Sequence, residues 1–551
     1  MKTIGLLKKY WRENYLVFLF IFIIGFLAYF NSLTNGPITD DFSLIAEGKS
    51  LEDLDYTFKV PPYYLRTFVY TLLYKTTASV NLVVFHLSNI SFHLINSLLV
   101  FILFAFIFRK RVGFFTASLF AVHPILTESV TWISGGGYAQ FTSFFLLSFL
   151  FYVFYAKKAS SKPASRVYLY LSIFFYLGSL ASNVWAISLF TIFFLYEHLF
   201  GDIKKNYKRL ALYTLISLAW VMVPLGSLSS RLDYLGSYSR ETGLFYNPFF
   251  QIPQALGLYI ELLVWPKNLS ISHNLNPDLN TALFGKYLIV FGYFLLLFYS
   301  FRKSKNLFFA LAFFLLAIAL NLIPLKIFWL VGERYVYLSS IGIFLAVGLL
   351  LDYIINKFGF KRWVYAFFLV VVVLLGVRTY YRNLDWKSQE SLYQATLKVN
   401  PFDPKAHGYL GLVYGSKGEY QQAINEFEKA LKVDPKNTEL LNLLASTYRS
   451  IKNNKLALTV FLASYSVEPN SLVTIQNIVE IYFEEGDYEK AADFAKKEIE
   501  LRPQNPTLYI NLGKIYLKQN KKTQAIENFN KTLELDPQNQ AAFKYLQEAH
   551  N

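Results

Sequence analysis

The sequence contains no cysteine among its 551 residues. Disulfide bonds, thiol catalysis and cysteine metal sites are therefore excluded. Charged residues are also scarce, at 16% of the chain, whereas 54% of the residues are hydrophobic and 19% are aromatic. Because this composition is too apolar for a single soluble protein of this length, it indicates a membrane protein.

The apolar residues are not spread evenly, since the first 400 positions hold the repeated long runs. These positions carry 35 Lys or Arg and 18 Asp or Glu, a net charge of +17. Residues 401–551 carry 18 and 19, a net charge of −1, and have the composition of a soluble helical domain. The overall charge of +16 therefore indicates basic membrane loops, and no nucleic-acid partner is expected.

The apolar runs predict eleven membrane-spanning segments. Their approximate limits are 15–31, 82–108, 112–131, 138–156, 167–181, 184–200, 210–227, 286–301, 306–323, 335–355 and 363–380. The first run lacks a small-residue cleavage site and predicts a signal anchor. Segment 249–265 is less apolar, and we expect an interfacial or re-entrant helix in an outer loop there. With eleven spans every strong basic cluster lies inside, so a cytoplasmic N-terminus and an extracytoplasmic C-terminal domain at the cell membrane are expected.

Proline recurs every 34 residues near the C-terminus, at Pro401, Pro435, Pro469, Pro503 and Pro537. This period, together with its small and aromatic positions, is the tetratricopeptide signature. The predicted fold class is all-α: a polytopic membrane helical bundle followed by a tetratricopeptide (TPR) superhelix. The predicted domains are a membrane domain 1–381 with outer loops 32–80 and 228–285, a junction half-repeat 382–403, repeats 404–437, 438–471, 472–505 and 506–539, and a cap 540–551. We expect the concave surface of the array to bind a protein or peptide, and a spacer role is the alternative.

Two adjacent acids, Asp40 and Asp41, follow the first span. They permit two interpretations: a helix cap in a solvated loop, or a carboxylate that acts as a general base. The predicted topology puts further polar residues on the same outer face, namely His123, Glu128, His273, Asn321, Glu333 and Arg334. Histidines and scattered acids without metal-ligand spacing do not predict a metal site, and metal dependence stays open.

Several strings occur in a characteristic order around these residues. They are Asp40-Asp41, FHLSNISFHLINSLLV (85–100), HPILTESVTWISG (123–135), WPKNLS (265–270), GERYVYLSSIG (332–342) and RTYYRNLDWKSQESLYQATLKVNP (378–401). Together with the terminal repeats, they resemble the transmembrane-and-TPR O-mannosyltransferase-like proteins of the GT-C glycosyltransferase superfamily. The resemblance covers nearly the whole chain.

The resemblance implies a multispanning glycosyltransferase that takes a mannose-like sugar from a polyprenyl-phosphate donor. It implies transfer to a hydroxyl acceptor, such as a protein Ser or Thr, on the extracytoplasmic face. It also implies that an Asp of the first outer loop is the base; of the two acids we expect Asp40 to act and Asp41 to support it. We expect His123 and Arg334 to meet the donor phosphate, although Arg334 could instead form a structural bridge with Glu333 or Glu128. An Arg-Pro of the family is matched loosely by Arg66-Thr67.

Some family positions differ in this chain. Where relatives carry Arg and Asp after Gly135, this sequence has Gly136 and Tyr138, and a Lys-Glu pair is replaced by Ser182-Asn183. These differences remove charges that could hold the donor phosphate. The second hypothesis is therefore a non-catalytic membrane scaffold that presents the repeats to a partner.

Overall fold

The computed structural model describes residues 2–46, 48–59, 63–157, 163–225, 248–273, 281–322 and 331–550. Within these ranges every regular element is a helix, which confirms the predicted all-α class. The chain forms two compact units, Met1–Asn400 (unit 1) and Pro401–Asn551 (unit 2).

Unit 1 contains sixteen described α-helices, which we number along the chain. They are α1 Lys2–Tyr29, α2 Asp41–Ala46, α3 Tyr64–Thr77, α4 Leu82–Ile107, α5 Lys110–Val122, α6 Thr127–Thr131, α7 Gly137–Lys157, α8 Pro163–Ser182, α9 Phe190–Phe200, α10 Ile203–Leu225, α11 Pro248–Val264, α12 Thr281–Lys303, α13 Lys305–Ile318, α14 Ser340–Phe358, α15 Lys361–Asp385 and α16 Gln389–Val399. Short 3₁₀ turns connect several of them.

Seven segments in the described part of unit 1 are long and apolar enough to cross a membrane. They are Arg12–Thr34, Leu82–Ile107, Ser134–Lys157, Leu283–Lys303, Lys305–Leu322, Ser340–Phe358 and Lys361–Asp385. The chain is therefore a membrane protein with a helical bundle. The other four predicted spans fall on α5 with α6, α8, α9 and α10, and the count of eleven stays a prediction.

The predicted span 112–131 is not one continuous helix. α5 ends at Val122, a 3₁₀ turn covers Pro124–Leu126, and α6 begins at Thr127. Pro124 has no N–H to donate to the preceding turn, so the α-helical ladder stops there. All of these residues are buried, and the interruption gives the chain a polar, irregular stretch inside one end of the bundle.

Small residues let the helices of the bundle approach one another closely. A Cβ atom on Gly113 of α5 would lie 2.7 Å from the Phe101 carbonyl oxygen of α4. A Cβ atom on Gly342 of α14 would lie 2.6 Å from the Ala310 carbonyl oxygen of α13. Backbone contact at glycine is a common way to pack helices in a membrane, where hydrophobic association contributes little.

Unit 2 is a series of helix pairs. Its helices are α17 Pro404–Ser416, α18 Tyr420–Val433, α19 Thr438–Ser450, α20 Asn454–Val467, α21 Leu472–Glu485, α22 Tyr488–Leu501, α23 Pro506–Lys518, α24 Lys522–Leu535 and α25 Gln540–His550. Pro404 and Pro506 stand in the first turn of their helices, where a missing N–H costs nothing. The rings of Phe427 and Phe529 pack directly on Gly411 and Gly513, which explains the small residues at those repeat positions.

Candidate functional site

Several long-range hydrogen bonds fasten the loop that leads from α1 to the two acids. The Asn35 side chain donates to the carbonyl oxygen of Asn383 at 3.1 Å, and the Gly36 N–H donates to that of Lys387 at 2.9 Å. The Trp132 indole donates to the carbonyl oxygen of Ile38 at 3.2 Å. These bonds hold the loop against the end of α15 and the turn between α6 and α7.

The two acids at the end of this loop have different environments. Asp41 is 1% exposed, whereas Asp40 is exposed and has no hydrogen-bond partner within the described residues. One Asp41 oxygen accepts the Ser134 N–H at 2.9 Å and its hydroxyl at 2.6 Å, and the other accepts the Ile38 N–H at 3.1 Å. Burial raises the pKa of Asp41 to about 6, although these hydrogen bonds oppose the shift. Asp41 therefore orders the loop, whereas the Asp40 side chain is exposed.

The backbone just before the acids is unusual. Thr39 has a φ of 49°, in the left-handed region that β-branched residues seldom adopt. Its hydroxyl oxygen is buried without a hydrogen-bond partner within the described residues. Such strain persists only where surrounding contacts enforce it, and it occurs often at functional sites.

Arg66 supplies positive charge next to Tyr70, a residue that is also influenced by the charge of Asp41. Its guanidinium lies over the rings of Tyr63 at 4.8 Å and Tyr70 at 5.8 Å, and its Cδ lies against Gly137. Burial raises the pKa of Tyr70 to about 12, with Arg66 opposing the shift and Asp41 reinforcing it, so both charges act on the same phenol. Arg66 is half-buried, and within the described part of the chain it forms no ion pair or hydrogen bond.

Arg334 is already engaged by a carboxylate. Its backbone N–H donates to Glu128 at 2.8 Å, and its guanidinium forms a tight ion pair with the same carboxylate. Glu128 is fully buried. The guanidinium also lies over the rings of Tyr335 at 4.9 Å and Trp132 at 5.5 Å. Of the alternatives that the sequence left open for Arg334, the structure therefore shows the bridge to Glu128.

Glu333, the neighbour of Arg334, organises a second buried cluster. Its carboxylate accepts the Ser270 N–H at 2.5 Å and lies 3.2 Å from His273 Nε2. Its other oxygen pairs with Arg382 at 3.4 Å, and Arg382 is 1% exposed at its side chain. Glu333 and His273 thus hold the segment after α11 against α15.

The remaining predicted site residues have structural contacts or lie apart. His123 is 2% exposed, its Nε2 lies 3.1 Å from the Leu263 carbonyl oxygen, and its Nδ1 accepts the Ile125 N–H at 3.3 Å. With both ring nitrogens engaged, His123 has no free nitrogen for the phosphate contact expected of it. Asn321 is buried in a 3₁₀ turn beside Val184–Leu189. Its side-chain oxygen Oδ1 has no hydrogen-bond partner within the described residues.

The positions that differ from the family pattern have local structural roles. A side chain at Gly136 would collide with the amide of Asn89, which donates to the Trp132 and Ile133 carbonyl oxygens at 3.0 and 3.2 Å. Asn183 accepts the Trp185 N–H at 3.1 Å and caps the following 3₁₀ turn. The side-chain amide of Asn89 therefore fills the space that a larger residue at position 136 would need.

The structure thus places both Asp41 and Arg66 near Tyr70, with Asp40 next to Asp41 in the chain. Trp132 contacts both Arg334 of the Glu128–Arg334 pair and the loop residue Ile38. Sequence reasoning missed Ser134 and Asn89 as site residues. Both lie within the strings that carried the resemblance. For Ser134, the available signal was its position directly before the Gly-rich turn. Within the described residues no group of three or more His, Asp or Glu has the arrangement of a metal site.

Comparison with known proteins supports the resemblance. The family models described as tetratricopeptide repeat match residues 404–437, 474–505 and 506–539. The chain is 25% identical over 459 residues to protein O-mannosyl-transferase TMTC3 of Mus musculus, covering 73% of this chain and 49% of the relative. The chain is thus similar to the transmembrane-and-TPR O-mannosyltransferase-like proteins. It is also 36% identical over 96 residues to protein O-mannosyl-transferase Tmtc2 of Drosophila melanogaster, which covers 17% of this chain and 10% of that one.

The chain spans about half the length of the first curated relatives of the family that it matches. Among solved structures it is similar to YrrB, described as a TPR protein with an unusual peptide-binding site, at 21% identity and a TM-score of 0.27. That match covers 36% of this chain and 97% of YrrB. It is also similar to MamA of Desulfovibrio magneticus RS-1, at 23% identity and a TM-score of 0.26, over 27% of this chain and 85% of that one.

Proposed function

We propose that the protein is a membrane glycosyltransferase that moves a mannose-like sugar from a polyprenyl-phosphate donor to a protein Ser or Thr hydroxyl. The observation that carries this proposal is the difference in burial and hydrogen bonding between Asp40 and Asp41. One carboxylate is buried, triply hydrogen-bonded and structural, whereas its neighbour is exposed at the end of a membrane bundle. The names of the relatives agree with this chemistry.

In the proposed reaction the Asp40 carboxylate accepts the proton of the acceptor hydroxyl. The hydroxyl oxygen forms a bond to the anomeric carbon of the sugar as the bond from that carbon to the phosphate oxygen breaks. The electron pair of the broken bond stays on the lipid phosphate, where negative charge develops. Arg66, which forms no ion pair within the described residues, would stabilise this charge, whereas Arg334 positions the site through Glu128.

The donor lipid requires access from the bilayer, which a site at one end of a bundle of spanning helices provides. The basic loops favour a cytoplasmic N-terminus and an extracytoplasmic reaction. The repeats of unit 2 would bind the acceptor protein or a partner of the enzyme. No metal is required by this scheme, because the protein residues supply both the base and the cation.

The test uses purified protein, a polyprenyl-phosphate-linked mannose donor and a Ser/Thr-rich acceptor peptide. We expect Asp40→Asn to lower the rate of sugar transfer by about 100-fold or more, because a general base contributes at least that much. Asp55→Asn is the matched control, since Asp55 is an exposed acid in the same outer loop. Transfer that survives Asp40→Asn unchanged would remove the proposed mechanism.

A non-catalytic scaffold is the second candidate, and the structural roles of Gly136 and Asn183 favour it. It predicts that the repeats capture a partner whose glycan mass is the same with and without this protein. Intact-mass measurement of extracytoplasmic glycoproteins in cells with and without the protein separates the two functions.

A further inference from the structure

Two basic residues lie at a corner between α15 and the segment that follows α11. Arg378 stands seven residues before the end of α15, and its guanidinium donates to the Lys267 carbonyl oxygen at 3.2 Å. Lys267 has an exposed side chain three residues after the end of α11. The hydrogen bond fixes the backbone of one basic residue beside the side chain of the other.

The carboxylates next to this corner are already used by another arginine. Arg382, one turn after Arg378, pairs with Asp385 at 3.0 Å and with Glu333 at 3.4 Å. Within the described residues neither Arg378 nor Lys267 forms an ion pair, although Arg378 is half-buried. Burial and the charge of Arg382 disfavour the Arg378 cation, and the attraction of Asp385 and Glu333 offsets them only in part. A further negative group from outside the protein would therefore stabilise the corner.

The surface around the corner is exposed and apolar. α15 is one of the segments able to cross a membrane, and Val377 and Tyr381 beside Arg378 are 49% and 60% exposed. Val264 and Trp265, just before Lys267, are 70% and 69% exposed. Tryptophan, tyrosine and basic residues concentrate where the bilayer core meets its headgroups. Arg378 lies about 10 Å along the helix from its end, a depth that suits a phosphate at this boundary.

We propose that Arg378 and Lys267 bind the phosphate of a membrane lipid whose hydrocarbon chain lies against the exposed apolar face of α15. Arg378 would donate bidentate hydrogen bonds to the phosphate oxygens, and Lys267 would add a second positive charge. The site shares no residue with the cluster around the acids, and its occupation does not require sugar transfer. Its failure would therefore leave the proposed function untouched.

The test is lipid binding to the full-length protein in a non-ionic detergent, measured by native mass spectrometry. The probes are phosphatidylglycerol, polyprenyl phosphate and inorganic phosphate. We expect each lipid to form a tight one-to-one complex, about tenfold weaker in Arg378→Gln and about fivefold weaker in Lys267→Gln. Arg302→Gln is the matched control, because it removes an exposed arginine from the end of another apolar helix, α12.

Each outcome bears on the proposal. Stronger binding of polyprenyl phosphate than of phosphatidylglycerol would identify a site for the donor lipid, and equal binding would identify a general phospholipid site. Binding of inorganic phosphate as tight as that of the lipids would overturn the lipid assignment. So would an equal loss in Arg302→Gln, or no loss in either site variant. If Arg378→Gln does not fold, Lys267→Gln carries the test, since its side chain is exposed.

Discussion

Removing the Ser134 hydroxyl should make Asp41 harder to ionise. This hydroxyl donates to Asp41 at 2.6 Å, a short bond to a charged acceptor. A hydrogen bond to a charged group contributes about 1.5–3 kcal/mol. One pH unit of pKa corresponds to about 1.4 kcal/mol, so Ser134→Ala should raise the pKa of Asp41 by about 1 to 2 pH units above its present value of about 6.

The sign of the effect on stability follows from linkage. The pKa of Asp41 is higher in the folded protein than its ordinary value of 3.8. Asp41 therefore stabilises the fold fully below pH 3.8, and this contribution is lost as the pH rises through about 6. In Ser134→Ala the same loss is larger and extends to a higher pH. The variant should thus be destabilised by an additional ~1.5–3 kcal/mol at pH 8.5 relative to pH 5.

The assay is the unfolding free energy of wild type and variant in detergent between pH 5 and 8.5. Ser143→Ala is the control, because its hydroxyl donates to the Ala139 carbonyl oxygen of α7 and meets no carboxylate. The pH-dependent difference should vanish when Ser134→Ala is made in an Asp41→Asn background. A difference between Ser134→Ala and wild type that is the same at every pH would refute the reasoning.

Three further variants test the geometry of the site. Arg334→Gln should lower the unfolding free energy by about 3–5 kcal/mol, because it strands the buried Glu128 carboxylate; a loss below 1 kcal/mol by chemical denaturation would contradict this. Gly136→Ala should cost about 1–3 kcal/mol through collision with Asn89, and the double variant with Asn89→Ala should recover part of the thermal stability; no recovery would mean another source of strain. Thr39→Gly should raise the unfolding free energy by about 1 kcal/mol, since glycine adopts a positive φ without strain. A lower unfolding free energy of the variant, measured by calorimetry, would contradict strain at Thr39.

The repeat unit was predictable because its signals are local. Each helix pair is encoded within 34 residues by a proline, a small residue and an aromatic ring, as Gly411 with Phe427 shows. The apolar helices of the membrane unit were predictable for the same reason. The interruption at Pro124 was visible as a proline, but a run that stays apolar after it still suggests one continuous span.

The pairing within the site could not be derived in this way. Glu128 and Glu333 were equal candidates for Arg334, and the choice depends on how segments about 200 residues apart pack. Which of Asp40 and Asp41 is buried depends likewise on Ser134, which lies 93 positions away from Asp41. Adjacent residues of one type look alike in a sequence, and only tertiary contacts distinguish them.

The bonds from Asn35 and Gly36 to the end of α15 have a consequence for biosynthesis. The partners of this loop are made about 350 residues after it. At 5–20 residues per second, the ribosome needs about 20–70 s to reach them. During that interval the loop that carries Asp40 and Asp41 has been synthesised, but the backbone groups of Asn383 and Lys387 that hold it have not. The nascent protein therefore completes the contacts of this loop only after the C-terminal end of α15 has been synthesised.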